Sequence, residues 1–135
     1  MDLQADRAAE LGRRLEQIPF ARLLGLHLQD ISAGTATLGM DIREDLKRNN
    51  GIAHGGAIAS LIDSATAFAI LSLDPAQQSV TIDLTVHFLR PLTKGVAVAK
   101  ARVIRSGKRV VVVSAEAFDE TGTLVATALS TYIKN

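Results

Sequence analysis

The clearest pattern in the chain runs through residues 80–88. Val80, Ile82, Leu84, Val86 and Phe88 alternate with Thr81, Asp83, Thr85 and His87. That is the period of a half-buried strand with its apolar set on one face. Arg90-Pro91 stops it. Residues 95–105, 109–118 and 124–133 read as three further long strands. The turns between them, Ser106-Gly107 and Thr121-Gly122, are short, which favours antiparallel pairing. Upstream, 26–31 and 34–42 read as two strands around Ser32-Ala33-Gly34, and 43–53 as a polar loop. A different pattern fills the stretch from Gly55 to Leu73, which is apolar on most faces, carries one charge, Asp63, and ends at Asp74-Pro75. It predicts a long helix that must be covered on most sides. Near the N-terminus Ala8, Leu11, Leu15 and Ile18 recur near helical spacing, predicting a surface helix over 4–17. Pro19 breaks it, and Phe20 to Leu24 adds a turn.

Two strands, one enclosed helix and four strands make an α+β chain: a curved antiparallel sheet of about six strands wrapped around a long central helix. With 135 residues the chain is expected to be one domain, 1–135, with an N-terminal helix over 1–19 and a core over 20–135. Many Ala and Val residues fall on the sheet's other face, which predicts partial burial there by another copy of the chain.

Composition narrows the classes. The chain has no cysteine, which excludes disulfides, thiolate catalysis and Cys-based zinc sites and fits the reducing cytoplasm. Basic and acidic residues number 15 and 14, so nothing points to a nucleic-acid partner. The first residues mix charges without an apolar core, unlike a signal peptide. A membrane span over the apolar helix is disfavoured, because Asp63 near its middle costs roughly 2.5–3.5 kcal/mol on insertion scales. His27, His54 and His87 show no metal-ligand spacing.

The candidate chemistry lies where the polar loop meets the apolar helix. Gly51-x-x-His54-Gly55-Gly56 puts a flexible turn at a helix start, where backbone N–H groups lack partners and can hold developing negative charge. Asp63 is a lone carboxylate in apolar surroundings, costly without a partner or a task. Together they resemble half of an acyl-transfer site. Other readings stand beside this one: Asp63 as a buried structural residue bonded to backbone or Ser60, His54 as a cap, Thr81 as an ordinary strand residue. Phe20 and Leu23-Leu24 read either as core packing, the favoured assignment, or as lining of an acyl pocket.

Over residues 20–133 the chain resembles the hotdog-fold acyl-CoA thioesterases, specifically the phenylacetate-degradation (PaaI-like) branch. The resemblance rests on Gly51-x-x-His54-Gly55-Gly56 followed by Leu61-x-Asp63, and on Ser79-Val80-Thr81-Ile82-Asp83-Leu84 leading to Phe88-Leu89-Arg90-Pro91. One position departs. Family members often carry Asn six residues before the His, where this chain has Arg48 followed by Asn49 and Asn50. Either the loop is shifted by a residue or the Asn role is altered, and both asparagines stay candidates.

The resemblance implies hydrolysis of an acyl- or aryl-acyl-CoA without cofactor or metal. Asp63 would be nucleophile or general base, the Gly55 N–H the oxyanion donor, and Thr81 a support for the water or for Asp63. His54 would orient the thioester or the turn, and Gly56 would let substrate approach the backbone. Arg48, Arg90, Lys108 and Arg109 are candidates for the coenzyme A phosphates. The rival readings are a non-catalytic acyl-CoA-binding hotdog module and a hotdog dehydratase, the latter disfavoured by His-Gly-Gly. Helix arithmetic adds one constraint. Gly55 and Asp63 lie about 12 Å apart along the axis, too far to share one carbonyl. A two-fold homodimer with two shared sites is therefore expected, and a dimer of dimers is compatible with the outer sheet face.

Overall fold

The computed structural model describes residues 3–135; Met1 and Asp2, the start of the expected domain, lie outside the described residues. Helix α1 spans Leu3–Gln17 and α2 Pro19–Leu24. Strands β1 (Leu26–Ser32) and β2 (Thr35–Asp41) follow, then two short 3-10 turns, Glu44–Leu46 and Asn49–Gly51. Helix α3 spans Gly55–Leu73, and β3 (Ser79–Phe88), β4 (Val96–Ser106), β5 (Val110–Phe118) and β6 (Leu124–Lys134) complete the chain. One six-stranded sheet runs in the order β1-β2-β4-β5-β6-β3, and every neighbouring pair is antiparallel. Strand β3 comes straight after α3 but lies at an edge, paired with β6 alone.

The predicted long helix is the centre of this fold. His54 caps its start. At its end Asp74 Oδ1 accepts a bond from the Ala76 N–H at 3.0 Å, turning the chain out of the helix. Helix α3 packs across β2, β4 and β5 and buries Leu61, Ile62, Ala65, Phe68 and Ala69. Each large apolar side chain buried this way contributes roughly 1.5–3 kcal/mol. The helix is long and apolar enough to cross a membrane, but its apolar faces are spent on the sheet. Small inward residues, Ala97, Ala99 and Ala101 on β4 and Ala115 and Ala117 on β5, let the sheet approach the helix closely. On α1, Leu11 and Leu15 are fully buried against β1 and α3.

The alternation in 80–88 is broken in the structure. Thr81 pairs with Tyr132 and Asp83 with Thr131, leaving Ile82 as an extra residue in a β-bulge. The bulge reverses which residues face the helix. Leu84 and Val86 pack against the core, whereas Val80 and Ile82 are 53% and 58% exposed. The single apolar face expected over 80–88 is thus two half-faces on opposite sides. Ser130, opposite Leu84 and wholly buried, donates to the Asp83 carbonyl at 3.1 Å and supports the backbone at the irregularity. The expected core role of Phe20 and Leu23 also fails: they are 53% and 64% exposed. Leu24 alone of that segment's large apolar residues is buried, because the segment is one short helix with a single inward side.

Candidate active site

At the start of α3 the backbone is organised by His54. Its own N–H donates to the Leu46 carbonyl at 2.8 Å, and its Nδ1 accepts from the Gly56 N–H at 2.8 Å. This requires an unprotonated Nδ1, so the proton of the neutral ring sits on Nε2. Gly56 fits because a Cβ there would lie 3.0 Å from His54 Nδ1. The N–H groups of Ala57 and Ile58 turn back to the His54 carbonyl at 2.9 and 3.4 Å. Of this first turn, the Gly55 N–H alone has no acceptor among the described residues. It opens on a groove of about 410 Å³ bounded by Arg48, Ile58, Phe88, Arg90 and Leu92. An unpaired N–H at the positive end of a long helix, with two arginines beside it, is suited to an anion.

Asp63 faces a different cavity. It is half-buried on α3, and its Oδ1 accepts from Thr81 Oγ1 at 2.9 Å and from Tyr132 Oη at 3.1 Å. The two hydroxyls converge because Thr81 and Tyr132 stand opposite each other in the β3–β6 ladder. Tyr132 also lies 2.9 Å from the Asp63 carbonyl and 2.8 Å from Thr66 Oγ1. The phenol is 2% exposed, and burial, with Asp63 nearby, pushes its pKa up to about 12. It therefore remains a donor across ordinary pH. Oδ2 has no hydrogen-bond donor among the described residues. The carboxylate lies at the rim of a cavity of about 260 Å³, which the Gly55 groove does not join.

The structure thus gathers the sequence candidates into two groups. Arg48, Gly55 and Arg90 share one groove, while His54 and Gly56, bonded to each other, line a separate concavity beside Leu46 and Ser60. Asp63 and Thr81 share the other cavity. Asn49 and Asn50 sit exposed at the loop tip, where Asn50 takes a left-handed conformation at φ 75° that Asn tolerates better than most residues. The Arg48 N–H bonds the Ile52 carbonyl at 2.8 Å and closes that tip. Lys108 and Arg109 are exposed in the β4–β5 turn, outside both cavities. That turn lies at the end of the sheet where β3 begins, since Val110 and Val80 both pair with Ile133. Tyr132 escapes a motif-based reading. Its one sequence signal is being the only tyrosine of the chain, on a strand otherwise made of aliphatic and small residues. A further concavity, about 590 Å³, lies on the outer sheet face beside Lys100, Arg102 and Glu116 and touches none of these residues.

Fold and site together define the class. PaaI of Escherichia coli, a protein of the phenylacetic acid degradation operon, superposes with a TM-score of 0.90 at 25% identity, covering 99% of this chain and 96% of that one. The architecture is the hotdog fold. The thioesterase superfamily's sequence profile matches residues 50–126, from the loop tip to β6. The chain belongs to the thioesterase superfamily. Among its relatives, a "Putative esterase" of Saccharolobus solfataricus is 34% identical, over 93% of this chain and 83% of the relative. The "Medium/long-chain acyl-CoA thioesterase YigI" of Salmonella typhimurium is 32% identical, over 86% of this chain and 85% of that protein.

Proposed function

We propose that this protein hydrolyses an acyl- or aryl-acyl-CoA thioester to the free acid and coenzyme A, in the cytoplasm, as a homodimer with two shared active sites. The observation that carries the reading is the state of Asp63: one oxygen held by two hydroxyls, the other free at the rim of a largely apolar cavity. As general base, Oδ2 takes a proton from water while the water oxygen attacks the thioester carbon. The carbonyl oxygen becomes an anion, accepts the Gly55 N–H of the partner subunit, and on collapse expels the coenzyme A thiolate. As nucleophile, the same oxygen attacks the carbon directly and expels the coenzyme A thiolate, and water then hydrolyses the mixed anhydride to the acid and the free Asp63 carboxylate. Both routes use the same residues, and neither needs a metal or a cofactor. Arg48 and Arg90 stand ready for phosphate oxygens, with Lys108 and Arg109 as outer cations and Asn49 and Asn50 exposed at the loop tip beside Arg48.

The separation of the two groups along α3 supports sharing. So does β3, an edge strand with Val80 and Ile82 exposed, which invites pairing with a second copy. Two antiparallel α3 helices then set each Asp63 against the partner's Gly55. The exposed Ile104, Val110 and Leu129 favour a further pairing into a dimer of dimers, which light scattering reads directly.

Thiol release from a panel of acyl-CoAs tests the reaction. Wild-type release that Asp63→Ala abolishes is expected; equal release from both would sink the role of Asp63, and no release from any thioester would sink the activity. Sharing is tested by mixing Asp63→Ala with Gly55→Pro chains. Each is inactive alone, yet a heterodimer keeps one intact site, so a fully exchanged mixture recovers about one quarter of wild-type activity under two-fold symmetry. No recovery in demonstrated heterodimers would refute the shared site.

A further inference from the structure

The cavity at Asp63 has a wall that the site motif does not include. Helices α1 and α2 and the junction between them supply Leu15, Ile18, Phe20 and Ala21, and α3 supplies Ala67 and Phe68 beside the carboxylate. The polar lining is Asp63 with the hydroxyls of Ser64, Ser79, Thr81 and Tyr132, and no Lys or Arg lines it. Leu15 and Phe68 are buried and close the floor, while Ile18 and Phe20 stand at the exposed rim. Ala67 lies one helical turn beyond Asp63, about 6 Å along the axis.

This wall is pinned. Arg14 Nη1 donates to the Pro75 carbonyl at 2.6 Å and Arg7 Nη1 to that of Ser72 at 3.3 Å. Gln4 Nε2 donates to the Ile31 carbonyl at 2.7 Å. Arg43, at the head of the site loop, donates to the carbonyls of Leu23 and Leu24 at the end of α2. Side chains thus fasten both ends of the α1–α2 unit to the core, so the cavity has a set size. Its volume is about 260 Å³, larger than the ~150 Å³ that accepts benzene in an apolar protein cavity.

We propose that α1 and α2 form the acyl-size filter of this enzyme. The cavity takes an uncharged acyl group of about six to ten carbons, or an arylacetyl group, scaled from the ~150 Å³ that accepts the six carbons of benzene. Leu15 and Phe68 stop its far end, and Ala67 sets its depth. This rests on the reading of Asp63 as the reacting carboxylate. A carboxylate at the far end of the acyl chain is rejected, because it would be desolvated beside Asp63 with no cation to meet it.

Calorimetric binding to full-length Asp63→Asn protein reads the filter without turnover. The ligands are acetyl-, butyryl-, octanoyl-, hexadecanoyl-, phenylacetyl- and succinyl-CoA. Octanoyl- and phenylacetyl-CoA should bind at least about ten-fold more tightly than acetyl-CoA. Hexadecanoyl-CoA should gain nothing over octanoyl-CoA, and succinyl-CoA should bind more weakly than butyryl-CoA. Adding Ala67→Leu should cost octanoyl-CoA about ten-fold or more and leave acetyl-CoA within about two-fold. Phe20→Ala, at an exposed site that folding tolerates, should cost octanoyl-CoA about five-fold and spare acetyl-CoA. A chain-length profile unchanged by either substitution, or succinyl-CoA binding as well as butyryl-CoA, would overturn the filter. Wild-type protein that releases no thiol while showing this binding profile would instead overturn the reaction and keep the filter.

Discussion

The two ends of the first half of α3, at Gly55 and at Asp63, carry opposite electrostatic features. At Gly55 the helix offers an unpaired donor and arginines, and its order comes from neighbours in sequence, since His54 caps Gly56 two residues on. At Asp63 the helix must host a negative charge, and its order comes from far away: Thr81 on β3 and Tyr132 on β6 close on one carboxylate oxygen. One end is capped by its own neighbour in sequence. The other exists only when the sheet has closed around the helix. The Asp63 carboxylate is thus held by residues 18 and 69 positions away in the chain.

The sharpest way to break this contrast is to remove the charge at the far end. Asp63→Asn keeps an acceptor for Thr81 but cannot take a proton, and should lower kcat by about 10²–10⁴ with circular dichroism unchanged. At the near end Gly55→Pro removes the N–H at the first helical position, where proline is tolerated and the extended His54 (ψ 135°) permits it. It should cost about 10²–10³ in kcat. Gly55→Ala is the control: it keeps the N–H, places its Cβ 3.4 Å from Phe88, and should lose far less.

Weaker perturbations separate clamp from cap. Tyr132→Phe should lower turnover about ten-fold, the worth of one hydrogen bond of about 1.4 kcal/mol to a charged group. It also carries a pH signature. The folded phenol titrates at about 12, above its ordinary value of 10.0, so its contribution to stability is complete below pH 10 and lost as pH rises toward 12. Urea unfolding followed from pH 9 to 12 should show that loss in the wild type and lack this component in Tyr132→Phe. His54→Ala should act least on turnover. Losing the cap costs about 1 kcal/mol of stability, readable as a lower urea midpoint, with activity within a few-fold if the ring only orders the turn.

The same local-versus-distant division explains what could be read from the sequence. The bounds of α3 and the positions of all six strands along the chain follow from periodicity and turn residues, which are local signals, whereas the placing of β3 at the sheet edge beside β6 does not. The His54-Gly55-Gly56 turn is also local and carries its chemistry openly. Tyr132 does not, because its role depends on the register of β6 against β3. The bulge at Ile82 was equally hidden, since alternation over 80–88 continues through it unbroken in letters while the backbone changes sides. Phe20 and Leu23 show a third limit: an apolar residue that lines a cavity, as Phe20 does, or lies exposed, as Leu23 does, has the same composition signature as one in the core. Arg48 in place of the family's asparagine is a loop position whose meaning depends on the neighbouring groove.

The bulge has a consequence for how this strand can change over generations. Substitutions at Ile82 alter one exposed side chain, and the ladder on either side tolerates them. Deleting Ile82 shortens the count between Thr81 and Leu84 by one. Either Thr81 turns away from α3, or Leu84 and Val86 turn outward. Point replacement at this position leaves the register of the strand in place, whereas loss of a single codon there removes the Thr81 bond to Asp63 or half the inward face of an edge strand. Among relatives that keep Asp63 and its hydroxyl partners, the spacing from Thr81 to Leu84 should be held more strictly than the residue that fills it.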